Sequence, residues 1–205
     1  MQHRLEELLG RDVSRETLDK LAAYRDHLIE ENERQNLVSK GTIDAFEERH
    51  LIDSAQLLAH HPDASADWLD VGSGAGLPGI VLAILHPGHV TLVEPRRLRA
   101  DFLQRVATSL DLSNTTVLQK KVEQVTAAPS VITGRAVANV AKFFSLTAHL
   151  ADLSTYFVLP KGRKAAEELE EASKTWQGKF ELVPSVTDAD ASILLASGVK
   201  RRGKR

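Results

Sequence analysis

Asp70-Val71-Gly72-Ser73-Gly74-Ala75-Gly76-Leu77-Pro78-Gly79 is the segment on which the reading of this 205-residue chain turns. It follows a short apolar run, 68–71, that reads as a strand, and it opens a helical stretch, 79–85. Glycine lets a chain turn sharply and lets a ligand approach the backbone. Four glycines within residues 72–79 weaken local order, and a turn alone would need only one or two. Pro78 suits the first turn of a helix, where its missing N–H costs nothing. The segment therefore reads as a ligand-binding loop between a strand and a helix. Residues 74–79 satisfy the dinucleotide fingerprint Gly-x-Gly-x-x-Gly, and Glu94 lies 20 residues after Gly74. Pro78 speaks against that ligand, because it removes an N–H that a pyrophosphate would use.

Outward from the loop, short apolar runs alternate with helical stretches. Residues 68–71, 90–93, 116–118, 130–132 and 156–159 read as strands, and 79–85, 98–110, 140–150 and 165–173 as the helices between them. Such alternation implies a parallel sheet with helices on both faces. Runs 180–183 and 191–195 have no helix between them and are expected to pair antiparallel at one edge. The expected fold class is thus α/β, a doubly wound, mostly parallel seven-stranded sheet. Residues 1–62 read as a helical extension packed on it. Leu18, Leu21, Leu28 and Ile29 share a helix face, with Ser14 as N-cap, and a second helix is expected from about 43 to 58, ending at His61-Pro62. Residues 63–199 form the binding domain, and residues 200–205, with five positive charges, read as a mobile basic tail.

Composition narrows the function. The chain is 42% hydrophobic and 26% charged, which fits a globular protein and excludes global disorder. It has no cysteine, so disulfides, thiolate metal sites and a cysteine nucleophile are excluded. The eight histidines show no metal-ligand spacing, and no metal is expected. No apolar run is long enough for a membrane span, and the charged N-terminus is not a secretory signal, so a cytoplasmic location is expected. The net charge of -2 means that a nucleic-acid partner would be held by a local basic patch.

The longer pattern Asp-x-Gly-x-Gly-x-Gly at 70–76 resembles motif I of class I S-adenosylmethionine-dependent methyltransferases. Further segments make the resemblance specific: Asn36-Leu37-Val38-Ser39, Glu48-Arg49-His50-Leu51-Ile52-Asp53-Ser54, Gly76-Leu77-Pro78-Gly79-Ile80, Val122-Glu123, Arg135-Ala136 and Leu159-Pro160-Lys161-Gly162-Arg163. Together they resemble the ribosomal small-subunit methyltransferase G family, also called glucose-inhibited division protein B. The resemblance implies S-adenosyl-L-methionine as cofactor and methylation at N7 of a guanosine in the decoding-region loop of 16S rRNA. It implies that Asp70 sits near the methionine amino group and that Gly72, Gly74, Gly76 and Leu77 meet the cofactor from the loop. Glu94, at a strand end, would accept the ribose hydroxyls, Val122 and Glu123 would flank the adenine, and Arg135 would line the site. Small-subunit rRNA or a ribosomal particle is the expected partner, and the chain is expected to act as a monomer.

The chemistry agrees with what is missing. Guanine N7 carries a free lone pair and needs no deprotonation, so an enzyme can work by positioning and desolvation, without a dedicated base. Amino-group methyltransferases carry an Asn/Asp-Pro-Pro-aromatic motif after the fourth strand, where this chain has Thr133-Gly134-Arg135-Ala136. His50 reads more readily as a packed or hydrogen-bonded histidine joining the helical extension to the domain than as a base, with Asp53 on its face to orient it. Asn36 either caps a helix or binds substrate. Candidates for RNA contact are Asn36, His50, Arg96, Arg97, Lys161, Arg163, Arg201 and Arg202, with separated basic segments converging at the carboxyl edge of the sheet. Arg135 is expected to serve the site and not a structural ion pair. The alternatives are an NAD-dependent oxidoreductase using loop 74–79, and a non-catalytic RNA-binding or ribosome assembly module.

Overall fold

The computed structural model describes residues 1–61, 63 and 65–203. Among them no helix is long and apolar enough to cross a membrane. The strands are β1 (Trp68–Val71), β2 (Val90–Val93), β3 (Thr115–Leu118), β4 (Val131–Thr133), β5 (Tyr156–Lys161), β6 (Trp176–Pro184) and β7 (Ser192–Arg201). They form one sheet in the order β3-β2-β1-β4-β5-β7-β6, with the first five parallel and β7 antiparallel to both its neighbours. The expected seven-stranded doubly wound sheet is therefore present, with the antiparallel pair at its edge. The strand order reverses between β1 and β4, which puts the crevice for a ligand beyond the ends of those two strands. The register sets Val71 opposite Val93 and Asp70 between Leu92 and Thr133, so the loops after β1, β2 and β4 leave the sheet at one edge.

Strand alternation sorts the core into two layers. Trp68, Leu92, Val131 and Val158 face the layer that also holds α1 (Gln2–Leu9), α2 (Arg15–Gln35), α5 (Gly79–Leu85) and α6 (Arg97–Ser109). Leu69, Val71, Ile132 and Phe157 face α7 (Val140–Thr147) and α8 (Ala165–Ser173). The helical extension lies within the first layer. Leu5, Leu21, Tyr24 and Leu28 are fully buried in the same cluster as Ile80, Val81 and Leu82. Ser14 caps α2 as expected, its hydroxyl accepting from Thr17 N at 3.1 Å.

Two expectations need correction. Residues 43–58 are not one helix. They divide into the end of α3 (Lys40–Ile43), a π-helical turn (Glu47–Ile52), the short α4 (Asp53–Ala55) and a 3-10 turn (Gln56–His60). Residues 50–52 and 54–57 are all buried, more than one 3.6-residue stripe can turn inward, and the changes of winding accommodate them. Pro62, the expected terminator, lies outside the described residues. The basic tail is also different. Lys200 and Arg201 belong to β7, which pairs with Trp176 and Gln177 at the start of β6. The Arg201 guanidinium lies 5.3 Å from the centre of the Trp176 ring, and Arg202 Nε donates to Ser173 O and Trp176 O. β7 runs against the parallel strands, with Ser192 opposite Lys161. Arg201 and Arg202 therefore stand at the edge opposite the glycine loop and do not join a patch there. Lys204 and Arg205 lie outside the described residues.

Candidate active site

The glycine loop is tied into the sheet by its own amides. Gly72 N and Ser73 N donate to Val93 O at 2.8 and 3.1 Å, fastening the start of the loop to β2. Gly74 N donates to Glu94 Oε2 at 3.0 Å, and Arg96 N to Glu94 Oε1 at 2.8 Å. Glu94 is thus buried and clamped between the two loops, with lone pairs left on both oxygens. The chain passes Gly74 at φ +54°, a conformation L side chains rarely adopt. From the helical extension, the buried Tyr24 hydroxyl donates to Ala75 O at 2.9 Å and supports the loop from below.

Beneath the loop sits Asp70. It is fully buried; Oδ2 accepts from Gly79 N at 3.1 Å, and Oδ1 has no partner among the described residues. Burial pushes its carboxyl up to about 7, against the opposing pull of the loop hydrogen bonds and of the Arg135 charge. An orphaned buried carboxylate oxygen is costly unless a cationic or hydrogen-bonding partner completes it.

Above the loop lies a hollow of about 480 Å³, walled by the loop, Glu94, Arg96, Arg99 and the turn Arg135-Ala136-Val137, and closed on one side by Leu37 and Val38. Val38 is held by its N–H donating to Asn32 Oδ1 at 2.8 Å. Asn36 is the left-handed C-cap of α2 at φ 49°, so of its two readings the structure bears the cap. Gly72, Gly74, Leu77, Glu94 and Arg135 come together here. Gly76 lies outside the lining and packs towards Ile80. Val122 and Glu123 do not line the hollow. They form a 3-10 turn after β3, with Val122 buried in the second core layer and Glu123 exposed.

A second hollow, of about 400 Å³, adjoins the first, and Arg135 and Ala136 line both. Arg135 Nη1 is 3.2 Å from Asp53 Oδ2 and 3.3 Å from Arg49 O, and Nη2 is 3.4 Å from His50 Nδ1. Arg135 is therefore an ion-pair partner as well as a wall of both hollows, which corrects the expectation that it makes no structural pair. Asp53 holds Arg135 and not His50. Its Oδ1 accepts from Thr187 Oγ1 at 2.8 Å and Gln56 Nε2 at 2.9 Å. These bonds join the helical extension, the β4 loop and the β6–β7 connection at one point.

His50 is 5% exposed and packs edge-on against Phe46. Burial, then the Arg135 charge, push its imidazole down to about 4, so it is neutral near pH 7. Arg135 can only donate, so Nδ1 accepts, and Nε2–H donates to Thr42 Oγ1 at 3.1 Å. Both nitrogens are engaged, as befits the packed, joining histidine. Lys161 also turns inward. Its Nζ donates to Ala138 O at 2.9 Å and Glu168 Oε2 at 3.1 Å inside the second hollow. Arg96, Arg97 and Arg163 are exposed, and Arg97 pairs with Asp101 at 3.6 Å.

The first hollow fits S-adenosylmethionine. It offers a buried strand-end carboxylate for a diol and apolar walls at Leu37, Val38 and Leu77, while Asp70, with its unpartnered oxygen, lies buried beneath the loop and outside the lining. The family model described as rRNA small subunit methyltransferase G matches residues 17–193. Two relatives named ribosomal RNA small subunit methyltransferase G are similar over nearly the whole chain. That of Rhizorhabdus wittichii is 42% identical over 191 residues, covering 91% of this chain and 87% of the relative. That of Erythrobacter litoralis is 43% identical over 183 residues, covering 88% of each. Among solved structures, a mutant of MtNAS in complex with S-adenosylmethionine superposes with a TM-score of 0.60 at 14% identity, covering 87% of this chain and 74% of that one. A SAM-dependent methyltransferase from Aquifex aeolicus gives 0.57 at 16%, covering 75% and 92%. These structures share the fold.

Proposed function

The chain belongs to the rRNA small subunit methyltransferase G family, and from that premise we propose how its two hollows perform the transfer of a methyl group from S-adenosylmethionine to N7 of a guanosine in the decoding-region loop of 16S rRNA. The enzyme is an S-adenosylmethionine-dependent rRNA methyltransferase. Bound in the first hollow, S-adenosylmethionine supplies an electrophilic methyl carbon on a sulfonium. Glu94 accepts the ribose hydroxyls on the lone pairs left free by Gly74 N and Arg96 N. Asp70, buried beneath the loop and outside the lining, would act on the amino group through its charge. Leu37, Val38 and Leu77 exclude water from one side.

Arg135 and Ala136 form the ridge between the hollows, and the acceptor base approaches across it. N7 attacks with its own lone pair, so no residue has to remove a proton first. His50, neutral and with both nitrogens engaged, orients the Arg135 guanidinium and takes no part in proton transfer. Arg96, Arg97 and Arg163 lie exposed after β2 and β5, on the edge where a phosphate backbone would pass.

The observation that carries this reading is the adjacency of the two hollows through Arg135 and Ala136, above a loop whose buried carboxylate lacks a partner. The experiment is transfer of labelled methyl groups to purified 16S rRNA and to small ribosomal subunits, followed by nucleoside analysis. Label in 7-methylguanosine is expected; label only in another nucleoside refutes the reading. NAD, in place of the donor, is expected not to bind.

A further inference from the structure

Three carboxylates line the second hollow: Asp53, Asp188 and Glu168. Both oxygens of Asp53 are engaged, by Arg135 on one side and by Gln56 and Thr187 on the other. Both oxygens of Asp188 are engaged, by Asp190 N and by Arg49. Glu168 differs. Its Oε2 accepts from Val140 N at 3.1 Å and from Lys161 Nζ at 3.1 Å, while Oε1 has no hydrogen-bond partner among the described residues. Lys161 has three N–H groups, of which Ala138 O and Glu168 take two. The hollow thus contains, side by side, one unengaged ammonium donor and one unengaged carboxylate acceptor.

We propose that the second hollow receives the target guanine extruded from its stack, and that Lys161 and Glu168 read its Watson–Crick edge. The proposal rests on the methyl-transfer reading above. Guanine presents O6, an acceptor, beside N1–H and the 2-amino group, both donors. Lys161 Nζ donates to O6, and Glu168 Oε1 accepts from N1–H and the 2-amino group. Adenine presents the reverse order, a donor facing the ammonium and an acceptor facing the carboxylate, and is rejected. The attacked atom lies on the adjoining Hoogsteen edge, so reading N1–H, the 2-amino group and O6 leaves N7 itself free to point to the ridge of Arg135 and Ala136. A volume of about 400 Å³ admits a nucleobase and its sugar.

The same pair favours the reaction. The N7 lone pair forms the new bond to the methyl carbon while the carbon–sulfur bond breaks, its electron pair passing to sulfur. The positive charge moves from sulfur to the purine ring, which strengthens N1–H and the 2-amino group as donors. Glu168 therefore binds the transition state more tightly than the ground state.

The test uses small ribosomal subunits reconstituted with guanosine or inosine at the methylation site. Inosine retains O6, N1–H and N7 and lacks only the 2-amino group. With S-adenosylhomocysteine present, wild-type protein is expected to bind the guanosine particle about tenfold more tightly, the scale of one base-edge contact. In Glu168→Gln, Val140 N and Lys161 hold the amide oxygen at the Oε2 position, which turns the amide NH₂ towards the 2-amino group. This variant is expected to bind both particles alike, with S-adenosylhomocysteine affinity unchanged. A guanosine preference in Glu168→Gln equal to that of wild type overturns the proposal. So does a wild-type protein with no preference, a result that needs no variant. Failure of the underlying reading looks different: wild type would then fail to bind S-adenosylhomocysteine or would form no 7-methylguanosine.

Discussion

Asp70 gives the site a pH signature. Its carboxyl is held at about 7 in the fold, against an ordinary value of 3.8, because it is fully buried with one oxygen unpartnered. The folded state therefore favours the protonated form. The contribution of Asp70 to stability is complete below about pH 4 and is lost as the pH rises towards 7. Above pH 7 the cost of the buried charge is about 4 kcal/mol, of which more than half develops between pH 5 and 7.5. Asp70→Asn has nearly the same shape, keeps an acceptor for Gly79 N and does not titrate. The difference in melting temperature between variant and wild type, measured without ligand, is expected to shift in favour of the variant by about 5–10 °C from pH 5 to 7.5. The constant offset between amide and acid cancels in that comparison. S-adenosylmethionine should restore the balance by stabilising wild type much more than the variant, because its amino group is attracted to the charge of the carboxylate and not to the amide. Calorimetric melts at four pH values, with and without the donor, check both. A melting difference that stays flat between pH 5 and 7.5 would refute the argument that this buried charge is uncompensated.

Three further outcomes are expected. Arg135→Ala removes the partner of Asp53 and should cost about 1–2 kcal/mol of stability, seen in urea unfolding; Arg135→Lys keeps the charge, loses the fork, and should lower methylation about tenfold with a smaller stability loss. Gly74→Val should abolish donor binding while the core stays folded, since φ +54° strains a β-branched residue and shifts the loop although its Cβ meets nothing closer than 3.6 Å, whereas Gly79→Ala should destabilise the fold itself, its Cβ lying 2.2 Å from Leu92 Cδ2 and 2.5 Å from Asp70 Oδ2; circular dichroism and equilibrium dialysis separate the two. Deleting residues 200–205 should lower the melting temperature and change Trp176 fluorescence, because it removes the Arg201 stack and the Arg202 hydrogen bonds, while leaving the salt dependence of rRNA binding nearly unchanged.

The parts of this fold that were legible in the sequence are those where local signals and tertiary packing agree. β1, β2, α5 and α8 have the expected ends, because the central strands are buried runs bounded by loop residues, α5 is apolar and buried nearly all round, and α8 is a run of strong helix formers. The edge was less legible. β6 and β7 are longer than their apolar runs, and Lys200 and Arg201 look like a tail until the partner strand is known. The first hollow was legible because its residues cluster in one loop and one strand end. Leu37 and Val38 had a trace in the motif Asn36-Leu37-Val38-Ser39, but only the Asn32–Val38 bond shows why they wall the site. The second hollow was not legible, since its parts come from the helical extension, the β4 loop, the end of β5, α8 and the β6–β7 connection. Glu168 in particular sits in a run of surface-like glutamates, and nothing but the fold distinguishes it.

The central claim is that this chain places a methyl group on N7 of one guanosine of 16S rRNA. The most direct measurement is nucleotide-resolution mapping of 7-methylguanosine in small-subunit rRNA from cells with the intact gene, without it, and with the gene restored as wild type or as Gly74→Val. A single 7-methylguanosine in the decoding-region loop is expected to disappear on deletion, to return with wild type and not to return with Gly74→Val. A modification that persists after deletion, or that Gly74→Val restores in full, would contradict the claim.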